Sequence, residues 1–488
     1  LLASSFAGLT VFIGLAVPSF AVDYFLTIAG GYARQGNQAS LEANVLFLDE
    51  LLASVPREPY QHSIFFADGD NPEADLQVVD KSSVDQPILE VLAEVFQWPS
   101  PQIHYRNHRI EKVLGRNHPR DVQQGLAEIT GKMQAGDRLF VYVTAHGGAA
   151  ISEQNRYDTS VHCWGGRQIR ASQFAEWLDG VPESVPVIMV MAQCYCGGFS
   201  HVIFDKCDST NGLSSRLRCG FFAQRHDLPA AGCRPDISND AEYSSYFWGA
   251  LAGRSRNGQP INNVDLDNDG RVSLVEAHAY AVITSETIDI PLRASEALLR
   301  ASSRVGEEEE DASLVSLQST VASLLVDATP TDRAIVLALT EALNVSLDQS
   351  VAQVVELASA PRSPVPRGRR GMRGYRGRAQ ALRDEMLERW PKLDEMKSVE
   401  DVSGFDIALE GVWQEIQGWE TYVAFREARL ARADSKEAVQ QEELKQVKTR
   451  RLVHTLESMI LERNLPLVAD SAVLDRYQAM LRIEESTL

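Results

Sequence analysis

The chain has 488 residues, 44% hydrophobic and 23% charged, enough apolar material for one large core and a second region, and its length suggests two to three domains. A formal net charge of -20 argues against nucleic acid and anionic membranes as general partners and favours solubility.

Residues 6–17 are mostly apolar, Pro18 interrupts them, and Ser19-Phe20-Ala21 offers small residues where a signal peptidase cuts. The run is too short for a comfortable membrane span, so residues 1–21 read as a signal peptide. The mature chain then starts near Val22 and works outside the cytoplasm, secreted or periplasmic. Residues 24–29 predict a strand; Leu41, Val45, Leu48 and Leu52 mark a helix; residues 62–67 predict a second strand ending at Asp68-Gly69. Residues 85–97 are partly helical in pattern, and Val122, Leu126, Ile129 and Met133 define another helix. Strand and helix alternate, which predicts an α/β fold with a mostly parallel sheet covered on both faces.

Two apolar strands then each deliver one reactive side chain. Residues 139–145 lead to His146-Gly147-Gly148, and residues 187–192 lead to Gln193-Cys194-Tyr195-Cys196-Gly197-Gly198. Reactive groups in open parallel sheets collect beyond the carboxyl ends of such strands. The interval between them holds a helix at 171–178, with Phe174, Trp177 and Leu178 on one face, and a crossover, so the strands are expected to be parallel neighbours. Cys194 and His146 would then form a nucleophile with its acid/base partner, and the amides of Gly147 and Cys194 would face a developing oxyanion. A lone cysteine is usually an inert small hydrophobe and a lone histidine a structural hydrogen-bonder, and only the pairing lifts these two above that reading. Cys196 reads as a packing residue. Cys207 with Cys219, or Cys219 with Cys233, are candidates for a disulfide that sequence cannot assign.

A weaker strand is expected at 217–223. Asp265-Leu266-Asp267-Asn268-Asp269-Gly270-Arg271-Val272-Ser273-Leu274-Val275-Glu276 meets every requirement of a twelve-residue Ca²⁺ loop. Its oxygen donors are Asp265, Asp267, Asp269, the Arg271 carbonyl, Ser273 and Glu276, with glycine at the sixth position, and one ion is expected. Residues 254–263 make a poor entering helix, so a single loop attached to the catalytic domain is expected, with a helix following at 277–283.

Beyond residue 291 the character changes. Residues 307–311 are a like-charge run, and 312–358 carry helical spacing for a few packed helices. Residues 361–378 hold seven arginines, three prolines and four glycines with no acid, and are expected to be a disordered linker. That linker is also an exposed target for self-cleavage. From residue 380 onward the chain predicts helices, with Leu409, Val412, Trp413, Ile416, Trp419 and Val423 on one face and Leu444, Val447, Leu452, Leu456 and Met459 on another. Such stripes serve a bundle core or helix-mediated self-association.

The segments around His146-Gly147 and Ala192-Gln193-Cys194-Tyr195-Cys196-Gly197 resemble those of the cysteine peptidase clan that holds caspases, legumain, gingipains and metacaspases, with the closest likeness to legumain-type members. In those proteins an apolar strand ends in His-Gly and a second ends in a short pair and the nucleophilic Cys, followed by a small residue and Gly. The likeness runs from about Tyr24 to about Trp248 and includes Gln38-Ala39 at a helix start and Glu242-Tyr243-Ser244. It implies a caspase-like α/β/α sandwich and a Cys194–His146 dyad. Legumain-type chains carry Asn, any residue, Arg and His before Gln-Ala, where this chain has Arg34-Gln35-Gly36-Asn37, and Tyr195 replaces the acid that follows the nucleophile. Two parts of an asparagine pocket are therefore absent, and the substrate preference does not carry over. In this clan the loop after the strand at 217–223 lines the pocket for the residue before the cut, which makes Asp227, Asp240 and Glu242 candidates that would suit a basic side chain.

The expected organisation is a signal peptide (1–21), a caspase-like peptidase domain (22–290) containing the calcium loop (265–276), a helical segment (291–360), a basic linker (361–379) and a C-terminal helical domain (380–488). The expected activity is cysteine endopeptidase cleavage of a protein or peptide substrate, with no nucleic acid and no stable membrane span. Transpeptidation through the same acyl-enzyme, or a catalytically silent scaffold acting through its helices, are the alternatives.

Overall fold

The computed structural model describes residues 21–54, 59–79, 87–233, 235–236, 241–307, 313–359, 369–403 and 408–488. Its strands, in chain order, are β1 (Asp23–Gly30), β2 (Tyr60–Phe66), β3 (Leu76–Val79), β4 (Ile103–Arg106), β5 (Val113–Gly115), β6 (Arg138–Ala145), β7 (Gly147–Gly148), β8 (Ser160–Cys163), β9 (Arg167–Arg170), β10 (Val187–Met191), β11 (Arg218–Phe222) and β12 (Leu292–Arg293). Its helices are α1 (Ala39–Ser54), α2 (Pro87–Phe96), α3 (Pro119–Thr130), α4 (Ala171–Leu178), α5 (Tyr243–Ala252), α6 (Leu274–Thr284), α7 (Ala294–Ser302), α8 (Val321–Leu325), α9 (Pro330–Leu343), α10 (Val351–Ser359), α11 (Arg369–Arg389), α12 (Val399–Ser403), α13 (Leu409–Ile416), α14 (Glu420–Val468) and α15 (Ser471–Glu484).

Seven strands form the central sheet in the order β12-β11-β10-β6-β1-β2-β5. All neighbours are parallel except β12, which runs antiparallel to β11. The fold is thus mixed α/β with a mostly parallel sheet, followed by a helical C-terminal region. Every residue of β1, β6, β10 and β11 is buried, because these near-continuous runs of branched and aromatic side chains are covered on both faces. Helix α1 packs on β1, β6 and α5; α3 packs on β1 and β2; α4 packs against the 3-10 segment Cys196–Ile203, which also meets α7. The chain passes from β6 to its parallel neighbour β10 through β7, β8, β9 and α4, the expected crossover with additional short strands.

The C-terminal helices do not form a core of their own. Leu461 and Leu465 of α14 and Tyr477 and Met480 of α15 belong to the same buried cluster as the central sheet. Leu452, Leu456, Met459 and Ile460 of α14 pack with α8, α9 and α10 and with Ala279 and Val282 of α6. At its other end α14 joins α11, α12 and α13 around Ile88, Val91, Leu92 and Val95 of α2. An amphipathic stripe states that a face is buried but not against what, so the boundary expected at residue 380 separates no two cores.

The basic segment also differs from expectation in its second half. Residues 360–368 lie outside the described residues, but α11 begins at Arg369. Arginine is a good helix former, each interior glycine costs about 1 kcal/mol, and tertiary packing offsets the cost. The Tyr375 ring lies tilted against Phe425 of α14, their centroids 5.7 Å apart, and its hydroxyl donates to Glu94 of α2. Of the segment expected to direct export (1–21), residues 1–20 lie outside the described residues. Among the described residues no helix is long and apolar enough to cross a membrane. The six cysteines are all free thiols, so neither Cys207–Cys219 nor Cys219–Cys233 is bridged.

Candidate active site

The parallel register sets Met191 of β10 opposite Val143 of β6, and the Ala192 N–H extends the ladder by donating to Val143 O at 2.9 Å. His146 and Cys194 therefore leave adjacent strands at one rim, each three residues past that shared rung. Gly147 shows how closely the two turns meet. A Cβ at Gly147 would lie 2.0 Å from the Cys194 carbonyl oxygen, so only glycine lets the two backbones touch.

His146 is oriented by an element that sequence reasoning left without a role. Its Nε2 lies 2.9 Å from the Gly36 carbonyl oxygen and 2.9 Å from Gln38 Oε1. A carbonyl oxygen can only accept, so Nε2 carries the proton and Nδ1 is the unprotonated nitrogen of the neutral ring. The Gly36 carbonyl is itself held in place. Asn37 Oδ1 accepts from Gly31 N–H at 3.0 Å, and Asn37 Nδ2 donates to Asp75 at 3.0 Å. The Tyr32 ring stands edge-on to the imidazole at 5.2 Å. A main-chain carbonyl and the Gln38 side chain thus hold the imidazole. The visible signal was Gln38 at the start of α1.

Cys194 Sγ is cradled by the loop at 228–231. It accepts from Ala230 N–H at 3.3 Å, and Tyr195 N–H donates to Leu228 O at 3.0 Å. The Cys194 N–H donates to no protein carbonyl among the described residues. Burial pushes the Cys194 thiol above its usual range; the amides of Ala230, Cys194 and Gly147 oppose that shift, and the nearby Asp289 carboxylate adds to it. Burial also holds His146 below its ordinary value, opposed by its bond to Gly36, with His162 lowering it further. Both shifts disfavour charge, so the couple rests as neutral thiol and neutral imidazole.

The other cysteines near the site have separate roles. Cys196 is buried, donates to Gln224 O and accepts from Gln224 N–H, which makes it a packing residue. Cys233 directs its thiol at Ala145 O, 3.6 Å away.

The candidate substrate acids fare differently. Asp227 is half exposed, ion-paired with Arg225 at 2.9 Å, and lines a cavity of about 450 Å³ with Arg156, His201 and His226. Glu242 is 2% exposed and bound to Arg256 at 2.5 Å, and Arg256 also donates to Asn44. Burial and pairing withdraw Glu242 from any open pocket, contrary to expectation. Asp240 lies outside the described residues.

In the loop at 265–276 three of the expected donors converge. Asp265, Asp267 and Asp269 each offer a carboxylate oxygen, all within 4.8 Å of one another. Asp265 and Asp267 accept from Asp269 N–H, and Asp269 accepts from Arg271 N–H, which curls the loop about these three acids. Glu276 reaches back from the first turn of α6 to the N–H groups of Leu266 and Ser273. Ser273 caps that helix and keeps Glu276 on the loop side. The donor set of hard oxygens on a glycine-turned loop fits one hard cation.

No protein-family model and no curated protein matches the chain. Among solved structures, a protein from Geobacter sulfurreducens designated GSU0716 aligns over 56% of this chain and 93% of its own, at 9% identity and a TM-score of 0.31, a similarity below what a shared fold requires.

Proposed function

We propose that the protein is a cysteine endopeptidase working through Cys194 and His146. The observation that carries this reading is the meeting of the two strand ends: His146-Gly147 lies against the Cys194 backbone, with the imidazole locked through Nε2 so that Nδ1 is the free base. The resemblance of these segments to the caspase and legumain clan supports the same assignment.

The chemistry starts from a neutral couple. His146 takes the Cys194 thiol proton as sulfur attacks the peptide carbonyl. The amides of Gly147 and Cys194 face the oxyanion. The imidazolium then gives its proton to the leaving amine, the C–N bond breaks, and a thioester remains. Water, deprotonated by His146, cleaves the thioester and restores the thiol. The resting couple does not need to be an ion pair, because proton transfer accompanies attack.

One Ca²⁺ held by Asp265, Asp267, Asp269, the Arg271 carbonyl, Ser273 and Glu276 would cross-link the loop that begins α6. The apolar segment at 6–17 goes with export to a secreted or periplasmic setting, where a calcium-loaded peptidase meets protein substrates. The test is a peptide-library digest by the purified protein, with and without calcium. Cleavage that disappears in Cys194→Ala supports the reading, and cleavage unchanged in that variant overturns it.

A further inference from the structure

Arg451 lies about two thirds of the way along the C-terminal helix α14, is 1% exposed, and among the described residues faces no carboxylate within hydrogen-bonding distance. All five of its N–H groups are nonetheless used. Nε donates to Asp289 O at 2.7 Å, Nη1 to Val282 O and Ser285 O at 2.9 Å each, and Nη2 to Thr287 O at 3.0 Å and Thr287 Oγ1 at 3.4 Å. A buried guanidinium spent on four carbonyls and one hydroxyl between the end of α6 and Asp289 fixes that turn in a single shape.

The turn it fixes leads to the nucleophile. Asp289 is fully buried, and its carboxylate accepts from Thr287 Oγ1 at 2.9 Å and from Ala231 N–H at 2.7 Å. Ala231 adjoins Ala230, whose N–H donates to Cys194 Sγ. Gln224 ties the same two loops a second time, donating to Pro229 O and Ile288 O and accepting from Ile290 N–H.

On the cysteine-peptidase reading of the site, we infer that Arg451 and Asp289 are a positioning couple: Arg451 fixes the 285–289 turn, and Asp289 transmits that position to the 228–231 loop that holds the Cys194 thiol. The C-terminal helix α14 is then part of the peptidase site. A cut between α10 and α11 would leave Arg451 in place, because α14 is held by the shared cores and not by that connection. Helix α6, which supplies Val282 O and ends beside Ser285, starts in the 265–276 loop, so that loop and α14 converge on the same turn.

Charge provides a readout that a purely structural role would not move. The Asp289 carboxyl is raised by burial to about 6, and above that pH its charge opposes thiolate formation at Cys194. The other titratable groups bearing on the pair are Cys196 and Cys233 beside both Cys194 and Asp289, and Arg451, Glu242 and Tyr243 beside Asp289, with His146 on the adjacent strand end.

The experiment uses the full chain. Iodoacetamide alkylation of Cys194 is followed against pH by mass of its peptide, and kcat and KM are measured on a cleaved peptide. Asp289→Asn keeps an acceptor for Ala231 N–H and removes the charge, and should lower the alkylation midpoint by about half a pH unit or more. Arg451→Lys, with three donors for five acceptors, should lower kcat by about tenfold or more with little change in KM. An unmoved midpoint in Asp289→Asn overturns the inference whether or not Arg451→Lys folds. So does a wild-type kcat in a folded Arg451→Lys. A shifted midpoint in a protein that cleaves no peptide would uphold the positioning couple and reject the peptidase reading instead.

Discussion

Gly147→Ala puts the contact between the two strand ends to a direct test. The added methyl would sit 2.0 Å from the Cys194 carbonyl oxygen, 3.0 Å from its carbonyl carbon and 2.9 Å from Gln193 Cγ. Ordinary contact begins at 3.4 Å, so the two turns must separate by about 1.4 Å. The obstacle is backbone on a segment laddered into the sheet, which cannot swing aside as a side-chain tip can. Misplacing reacting groups by about 1 Å costs on the order of 100-fold in rate, so kcat/KM should fall by at least about 100-fold, near 2.7 kcal/mol of barrier. Overpacking will also cost about 1–3 kcal/mol of stability, so thermal unfolding is measured on the same sample and the kinetics read well below the midpoint. Gly148→Ala is the matched control. Its Cβ meets His162 Nε2 at 2.6 Å and Ser160 Oγ at 2.9 Å, both side-chain ends that can rotate, and its loss should stay below about tenfold. Activity within threefold of wild type in a folded Gly147→Ala would refute the claim that this contact sets the catalytic geometry.

Gln38→Leu removes one of two acceptors at His146 Nε2 and leaves the Gly36 carbonyl, so kcat should drop by about three- to tenfold, and an unchanged kcat would show that Gly36 suffices. The pH profile follows from the two shifts. With His146 held below 6.5, the base is lost only as pH falls beneath that value, and with the Cys194 thiol raised above 9.0, its alkylation by iodoacetamide should rise with pH through the neutral range and still be rising at pH 9. A rate plateau already reached at neutral pH would mean a preformed thiolate. Asp289, titrating at about 6, ceases to oppose the thiolate below that pH and so partly offsets the acidic limb, a contribution separated by repeating the profile in Asp289→Asn. Chelator should lower the unfolding temperature and calcium should restore it, with Asp267→Ala abolishing the response; equal unfolding temperatures with and without calcium would rule out the ion.

The elements that carry the proposed couple were legible because their signals are local. Unbroken apolar runs before His146 and Cys194 became β6 and β10, and the helix expected at 171–178 is α4. The convergence of Asp265, Asp267 and Asp269 was legible because the three acids lie in one stretch of chain. The short edge strands β5 and β12 were not, since two or three residues carry no periodicity. The support of His146 by Gly36 was hidden because a carbonyl oxygen has no residue signature. Asp289 and Arg451 were invisible for another reason: one acid and one arginine 162 positions apart acquire meaning only when folding buries both. Glu242 misled because an acid in a loop reads as exposed until its partner Arg256 is seen.

The central claim is that His146 activates Cys194. Its most direct test is covalent labelling by a peptidyl acyloxymethyl ketone, read as the mass of the Cys194 peptide in wild type and in His146→Ala. The account predicts label on Cys194 and on no other cysteine, with the rate falling by about 100-fold or more without the imidazole. Equal labelling in His146→Ala, or label found on Cys233 in place of Cys194, would contradict it.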